Sequence, residues 1–122
     1  MSQRPVQFSP SHPVIREYHR SLGELRSRGV DHESGLRHAF QNLLSDSARL
    51  HRWNLIAELG AKAGGHSIRP DGTLWDANNL ARGFWEAKDT HDDLARAIER
   101  KIRQGYPINN TIFEDARRAV LY

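Results

Sequence analysis

The spacing of apolar residues divides the chain into helical and extended stretches. Ile15, Tyr18, Leu22 and Leu25 recur three and four apart, a helical stripe that opens at Pro13 and closes at Gly29. Leu36, Phe40, Leu43 and Leu44 repeat the pattern and predict a second helix over roughly 32 to 50, with Asp31 as its N-cap. From Trp53 the period shortens to two: Trp53, Leu55, Ala57 and Leu59 share one face of an extended run. Gly60 and Gly64-Gly65 break that run, and His66 to Arg69 resumes it. Pro70-Asp71-Gly72 predicts a turn, since proline fixes the first corner and glycine accepts positive φ. Two short strands follow, Thr73 to Asp76 and Gly83 to Lys88, joined by a polar connection.

Thr90, with Asp93 three residues on, makes a capping-box pattern for a third helix over 91 to 104. Leu94, Ala97, Ile98 and Ile102 form its inner stripe, and Gly105 stops it. Thr111 to Glu114 and Ala119 to Tyr122 predict two final strands. The order points to an α/β (or α+β) fold with a mixed central sheet flanked by helices. The earlier strands suit an antiparallel meander, and the strand-helix-strand succession after residue 83 suits a parallel crossover. Residues 1 to 12 are polar and carry Pro5 and Pro10, as a mobile arm would. The chain stops inside its last strand, which is expected of a fragment of something longer.

Composition narrows the function without choosing it. With 122 residues there is room for one domain and a modest core. The absence of cysteine excludes disulfides and thiolate metal sites. Eighteen Lys+Arg against fifteen Asp+Glu give a net charge of +3, which suits a polyanionic partner but does not require one. No apolar run approaches a membrane span, and Met1 to Pro10 lacks a signal-peptide core, so a cytoplasmic location with no membrane partner is expected.

The candidate chemistry sits in the second of the paired strands. Side chains alternate along a strand, so Glu86 and Lys88 share one face while Trp85 and Ala87 share the other. An acid, about ten residues, then Glu-x-Lys is the minimal pattern of a metal-dependent phosphodiesterase. Mg²⁺ wants hard oxygen ligands, and two carboxylates with a backbone carbonyl suffice. A lysine beside them can orient water or neutralise the phosphorane. Glu33 lies on the apolar face of its helix, where a carboxylate needs a partner unless the first turn keeps it wet. Arg16, Arg20, Arg26 and Arg28 on the first helix form either a solvated face or a DNA-contacting one, and Arg96, Arg100 and Lys101 on the third are candidate DNA contacts. His32-Glu33 lacks the second histidine of a zinc helix, and no nucleophile elbow appears.

Four segments carry a resemblance. They are Glu33-Ser34-Gly35-Leu36-Arg37-His38-Ala39-Phe40, Ile68-Arg69-Pro70-Asp71-Gly72-Thr73-Leu74, Phe84-Trp85-Glu86-Ala87-Lys88-Asp89 and Ile112-Phe113-Glu114-Asp115. Together they resemble the PD-(D/E)XK nuclease superfamily, and in particular the Mrr-like nuclease domain at the start of type ISP-like bacterial restriction-modification enzymes. The likeness covers residues 30 to 122 and leaves 1 to 29 as an N-terminal arm and helix. It implies a restriction-endonuclease-like core and a Mg²⁺-dependent DNA endonuclease, with Mn²⁺ able to substitute, in anti-phage defence. Asp76 and Glu86 would be the metal carboxylates, the Ala87 carbonyl a further ligand, Lys88 the catalytic lysine and Glu33 an auxiliary acid. Asp71, the literal Asp of Pro-Asp, is the alternative first acid; its predicted place in a turn favours Asp76. The implied partners are DNA, the rest of a larger polypeptide (a methyltransferase, with or without a helicase) and a second copy in a transient dimer. The rival is a catalytically inactive DNA-binding or assembly module with a vestigial site.

Overall fold

The computed structural model describes residues 9–30, 33–63, 65–88 and 93–122, without the side chains of 33, 34 and 63. Helix α1 (Pro13–Ser27) begins where its sequence predicts, with the His12 ring accepting the Val14 N–H at 3.2 Å. Gly29 takes a φ of 78°, open to glycine at no steric cost. Arg20 is held by Glu17 and Glu24 at 2.6 and 2.8 Å, all three exposed, so this part of the arginine face is solvated and internally paired. Helix α2 (Glu33–Arg49) packs along α1 through buried Leu22, Leu36 and Ala39, with Tyr18 and Leu25 beside them. The caps expected of Asp31 and Thr90 lie outside the described residues.

Strand β1 (Asn54–Ala57) is shorter than the alternation suggested: the Glu58 N–H still donates to the Asp71 carbonyl at 3.0 Å, but Glu58 takes a φ of 51° and the chain turns away there. Strands β2 (Ala61–Ala63) and β3 (His66–Ile68) form a small hairpin of their own, where the sequence had offered one interrupted run. Next come β4 (Gly72–Trp75), β5 (Ala81–Ala87), helix α3 (Leu94–Arg103), β6 (Thr111–Glu114) and β7 (Ala119–Leu121). The main sheet has the order β1-β4-β5-β6-β7. Its first three strands are an antiparallel meander, α3 makes the crossover to a parallel β6, and β7 returns antiparallel. Helix α3 starts at Leu94 rather than 91, since Asp93 itself is the N-cap, accepting from the Arg96 N–H.

Pro70-Asp71-Gly72 is not a hairpin turn. Gly72 is the first residue of β4 and is buried; a Cβ there would lie 2.7 Å from Leu55 Cδ1 and 2.9 Å from Trp85 Cε3. Glycine is required by close packing, not by a left-handed φ, and Asp71 is thereby carried on the end of a sheet strand.

The alternation of β5 sorts the core onto two sides of the sheet. Trp85, with no exposed surface, and Ala87 pack against Phe40 of α2, the Phe40 and Trp85 rings 5.9 Å apart. On the other side Phe113 of β6, also without exposed surface, meets Ile68, Leu94, Ile98 and Tyr106. Glu86 is opposite Phe113 in the parallel register and so faces α3. A carboxylate is therefore placed at the edge of an apolar layer.

Candidate active site

The β4 and β5 ends that meet near Asp71 and Glu86 are tied by side chains as well as backbone. Glu86 Oε1 accepts the Asp71 N–H at 3.2 Å, and Asp71 Oδ2 accepts the Ala87 N–H at 2.8 Å. The N–H and C=O of one strand residue point to the same neighbour, so the Ala87 carbonyl faces the same side as Asp71. Continuing the ladder past the Gly72–Trp85 pair brings Pro70 opposite Ala87, and proline has no N–H to give that carbonyl. Two carboxylates and one carbonyl thus converge from two adjacent strands.

Cations surround the acids. Lys101 of α3 places its Nζ 2.8 Å from Glu86 Oε2, and Lys88 places its own 3.7 Å from the same oxygen. Arg37 of α2 reaches Asp71 Oδ1 at 3.3 Å. Burial pushes the Glu86 carboxyl above the ordinary carboxylate range; the Asp71 charge adds to the rise, while Lys101 and Lys88 pull it down. Lys101 also sits 4.9 Å over the Tyr106 ring. Asp71 and Arg37 border a cleft of about 360 Å³ that His38, Gln41 and Glu58 also line.

Asp76 is the correction. Asp71 lies beside Glu86, and Asp76 is five residues further along the same strand, so at about 3.3 Å per residue it lies roughly 16 Å from the carboxylate it was expected to join. Asp76 builds the β4–β5 turn instead. Its Oδ1 accepts the N–H groups of Asn78 and Leu80 at 2.8 and 3.0 Å, and its Oδ2 pairs with Arg82 at 2.8 Å. The Leu80 hydrogen bond, then Arg82, hold its carboxyl below the usual range. Asp71 occupies the position expected of Asp76.

The other expected residues fall into place unevenly. Glu86 and Lys88 share a face as the alternation required. Glu33 opens α2 one turn before Arg37, and its side chain lies outside the described residues. Arg96 and Arg100 are exposed on α3, Arg96 ion-paired with Asp93 at 3.7 Å. Lys101, grouped with them in the sequence, instead turns inward to Glu86. Sequence reasoning missed Arg37 and the inward turn of Lys101. Arg37 follows the buried Leu36 and so flanks the buried stripe; Lys101 lies three residues from Ile98 and next to Ile102, the signal that it borders the buried face.

Among the described residues no three His, Cys, Asp or Glu side chains converge as a metal cage. The donor set here is two carboxylates and a backbone carbonyl, all hard oxygens. That set fits Mg²⁺ or Mn²⁺, which keep several waters and need few protein ligands. The raised Glu86 carboxyl beside a second acid is likewise a place where added positive charge is favourable.

No family model matches the chain, and no curated protein does. Among solved structures, the cryo-EM structure of a DrdV–DNA complex superposes with a TM-score of 0.82 at 44% identity over 88% of this chain. The fold is restriction-endonuclease-like. The matched region is 11% of the DrdV chain, so this chain spans about a tenth of that protein's length. Among the described residues no helix is long and apolar enough to cross a membrane.

Proposed function

We propose that the chain is a divalent-metal-dependent DNA endonuclease domain of a restriction-modification enzyme, with its site at Asp71, Glu86 and Lys88. The observation that carries the reading is the mutual tie of Asp71 and Glu86 across β4 and β5, with Lys88 beside them. The likeness to a protein solved on DNA supports DNA as the substrate.

Asp71, Glu86 and the Ala87 carbonyl would hold the cation. Once bound, it supplies Lewis-acid polarisation of the scissile phosphate and lowers the pKa of a coordinated water. Lys88, on the same strand face as Glu86, puts an ammonium where it can donate to an attacking water or to a non-bridging phosphate oxygen. Arg37 fixes the Asp71 rotamer. Water attacks phosphorus in line and releases a proton to solvent, the P–O3′ bond breaks, and the departing O3′ takes a proton from a solvent water, giving 5′-phosphate and 3′-hydroxyl ends. A double-strand break takes two such sites, hence a transient pairing of two copies; methyltransferase and helicase functions would belong to other parts of a larger enzyme.

Incubation of the protein with supercoiled plasmid and Mg²⁺ or Mn²⁺ tests this directly. Nicking is expected for the parent and absent for Glu86→Gln and Lys88→Ala of unchanged fold. Equal nicking by all three sinks the assignment. A binding-only module is the second reading, and one observation favours it: Lys101 supplies Glu86 with a counter-charge from within the chain. In that case salt-dependent DNA binding persists with no divalent-cation affinity.

A further inference from the structure

Glu86 is the most committed acid in the site. Its side chain is 6% exposed, its Oε1 is taken by the Asp71 N–H, and its Oε2 is taken by Lys101 at 2.8 Å. Lys88 is nearly an ångström further from that oxygen, at 3.7 Å. A buried carboxylate is costly without a counter-charge, and the ammonium nearest to it comes from α3 rather than from the Glu-x-Lys strand. The Lys101 side chain is itself 21% exposed, and its Nζ also lies over the Tyr106 ring, so it has a second resting place within reach. A divalent cation seated on Glu86 draws on the same carboxylate lone pairs, and Lys101 already holds one of those on Oε2. Two cations cannot share that oxygen at contact distance in a partly buried site without strong repulsion.

We propose that Lys101 is a resident counter-cation that occupies the metal seat on Glu86 and must be displaced for a divalent cation to bind. The inference rests on the endonuclease reading of the same site and adds to it a competition within the chain. Lys101 is a positioning residue: it orients Glu86 and sets the cation concentration at which the site loads. The displaced ammonium, still tethered to α3, then remains beside the site as positive charge available to a phosphate.

The direction of the effect separates competition from a structural role. Loss of a residue that merely supports the site weakens metal binding, whereas loss of a competitor tightens it. Calorimetric titration of the full chain with MnCl₂ is expected to show Lys101→Met binding roughly threefold to thirtyfold more tightly than the parent, the range left when a charge contact of this length is screened by partial exposure. Lys101→Arg, which keeps the charge, stays near the parent value. Lys101→Gln provides a polar, neutral replacement should the methionine variant not fold, and is expected to shift the same way. Adding Glu86→Gln removes binding from every background. Unchanged or weaker Mn²⁺ binding by folded Lys101→Met or Lys101→Gln, with the parent still binding, overturns the competition alone. No Mn²⁺ binding by the parent or by either neutral variant overturns the competition and the endonuclease reading together. Binding that appears only in the neutral variants is the extreme form of the proposed lock and supports it.

Discussion

Asp71 and Glu86 hold one another through the backbone: Glu86 accepts the Asp71 N–H at 3.2 Å, and Asp71 accepts the N–H of Ala87, the residue after Glu86, at 2.8 Å. Neither carboxylate can turn without freeing a donor on the opposite strand. The two acids therefore stay at a fixed mutual position although like charges repel, and Arg37 and Lys101 offset part of that repulsion. Such preorganisation is what a two-carboxylate cation site requires.

The two aspartates of this hairpin are predicted to separate cleanly on mutation. Asp71→Asn is expected to reduce plasmid cleavage at least about a hundredfold, the upper range for a disturbed metal-ligand shell. Asp76→Asn is expected to leave cleavage within a few-fold of the parent and to lower the melting temperature, because Asp76 closes the turn through Asn78, Leu80 and Arg82. Paired cleavage and melting measurements decide it; the opposite pattern restores Asp76 as the ligand.

The helices and the central strands were legible in the sequence because their apolar periods are strong. Leu22, Leu36 and Phe40 are buried where the 3.6-residue stripes put them, and Glu86 and Trp85 part company as strand alternation demands. The β2–β3 hairpin was hidden by its composition, Ala-Lys-Ala and His-Ser-Ile, which carries no clear alternation. The choice between Asp71 and Asp76 failed for a different reason. Pro-Asp-Gly is a turn signal because glycine tolerates positive φ, but Gly72 is selected by the Leu55 and Trp85 side chains that leave no room for a Cβ. The same residue type answers two physical demands, and only three-dimensional packing tells them apart. Lys101 and Arg37 were obscured similarly, since a basic residue bordering an apolar stripe looks alike whether it snorkels to water or meets a buried acid.

Arg37 should matter for activity without touching the reacting atoms. Its Nη1 lies 3.3 Å from Asp71 Oδ1, on the oxygen that the Ala87 N–H does not use. Arg37→Ala is expected to lower kcat roughly tenfold to a hundredfold, as loss of an outer-shell partner does. Arg37→Lys should recover part of that loss, through the charge but not the planar fork. Steady-state cleavage rates of the two variants give the comparison, and parent-like kcat in Arg37→Ala would remove Arg37 from the positioning role.

The outer arginines of α3 are assigned a different job. Arg96 is 80% exposed at its side chain, and Arg100, one turn on, is exposed too. Both are expected to meet DNA phosphates next to the site. Changing each to Gln should weaken duplex binding and leave Mn²⁺ affinity unchanged. The slope of log K against log salt should flatten by about one for each phosphate that is no longer neutralised. An unaltered salt slope in the double variant would return these side chains to the solvated face.

Glu114 predicts a pH dependence of stability. Its side chain, 3% exposed on β6, accepts the Ala116 N–H at 2.8 Å, which favours the charged form, but burial outweighs this and raises its pKa from 4.5 to about 7. The indole N–H of Trp85 pulls the same way as Ala116 without reaching hydrogen-bond geometry. With the folded value above the unfolded one, the folded chain binds more protons between pH 4.5 and about 7. Stability from this group is therefore complete below that window and declines as pH rises through it. Two to three pKa units correspond to an order of magnitude of ~3 kcal/mol, an upper figure because a strained site relaxes. Glu114→Gln keeps a carbonyl to accept the Ala116 N–H and has no charge to desolvate. Urea unfolding at pH 5 and pH 8 is expected to show the variant close to the parent at the lower pH and more stable at the higher, by about 1–3 kcal/mol. A variant shifted equally at both pH values would mean that Glu114 does not titrate between them.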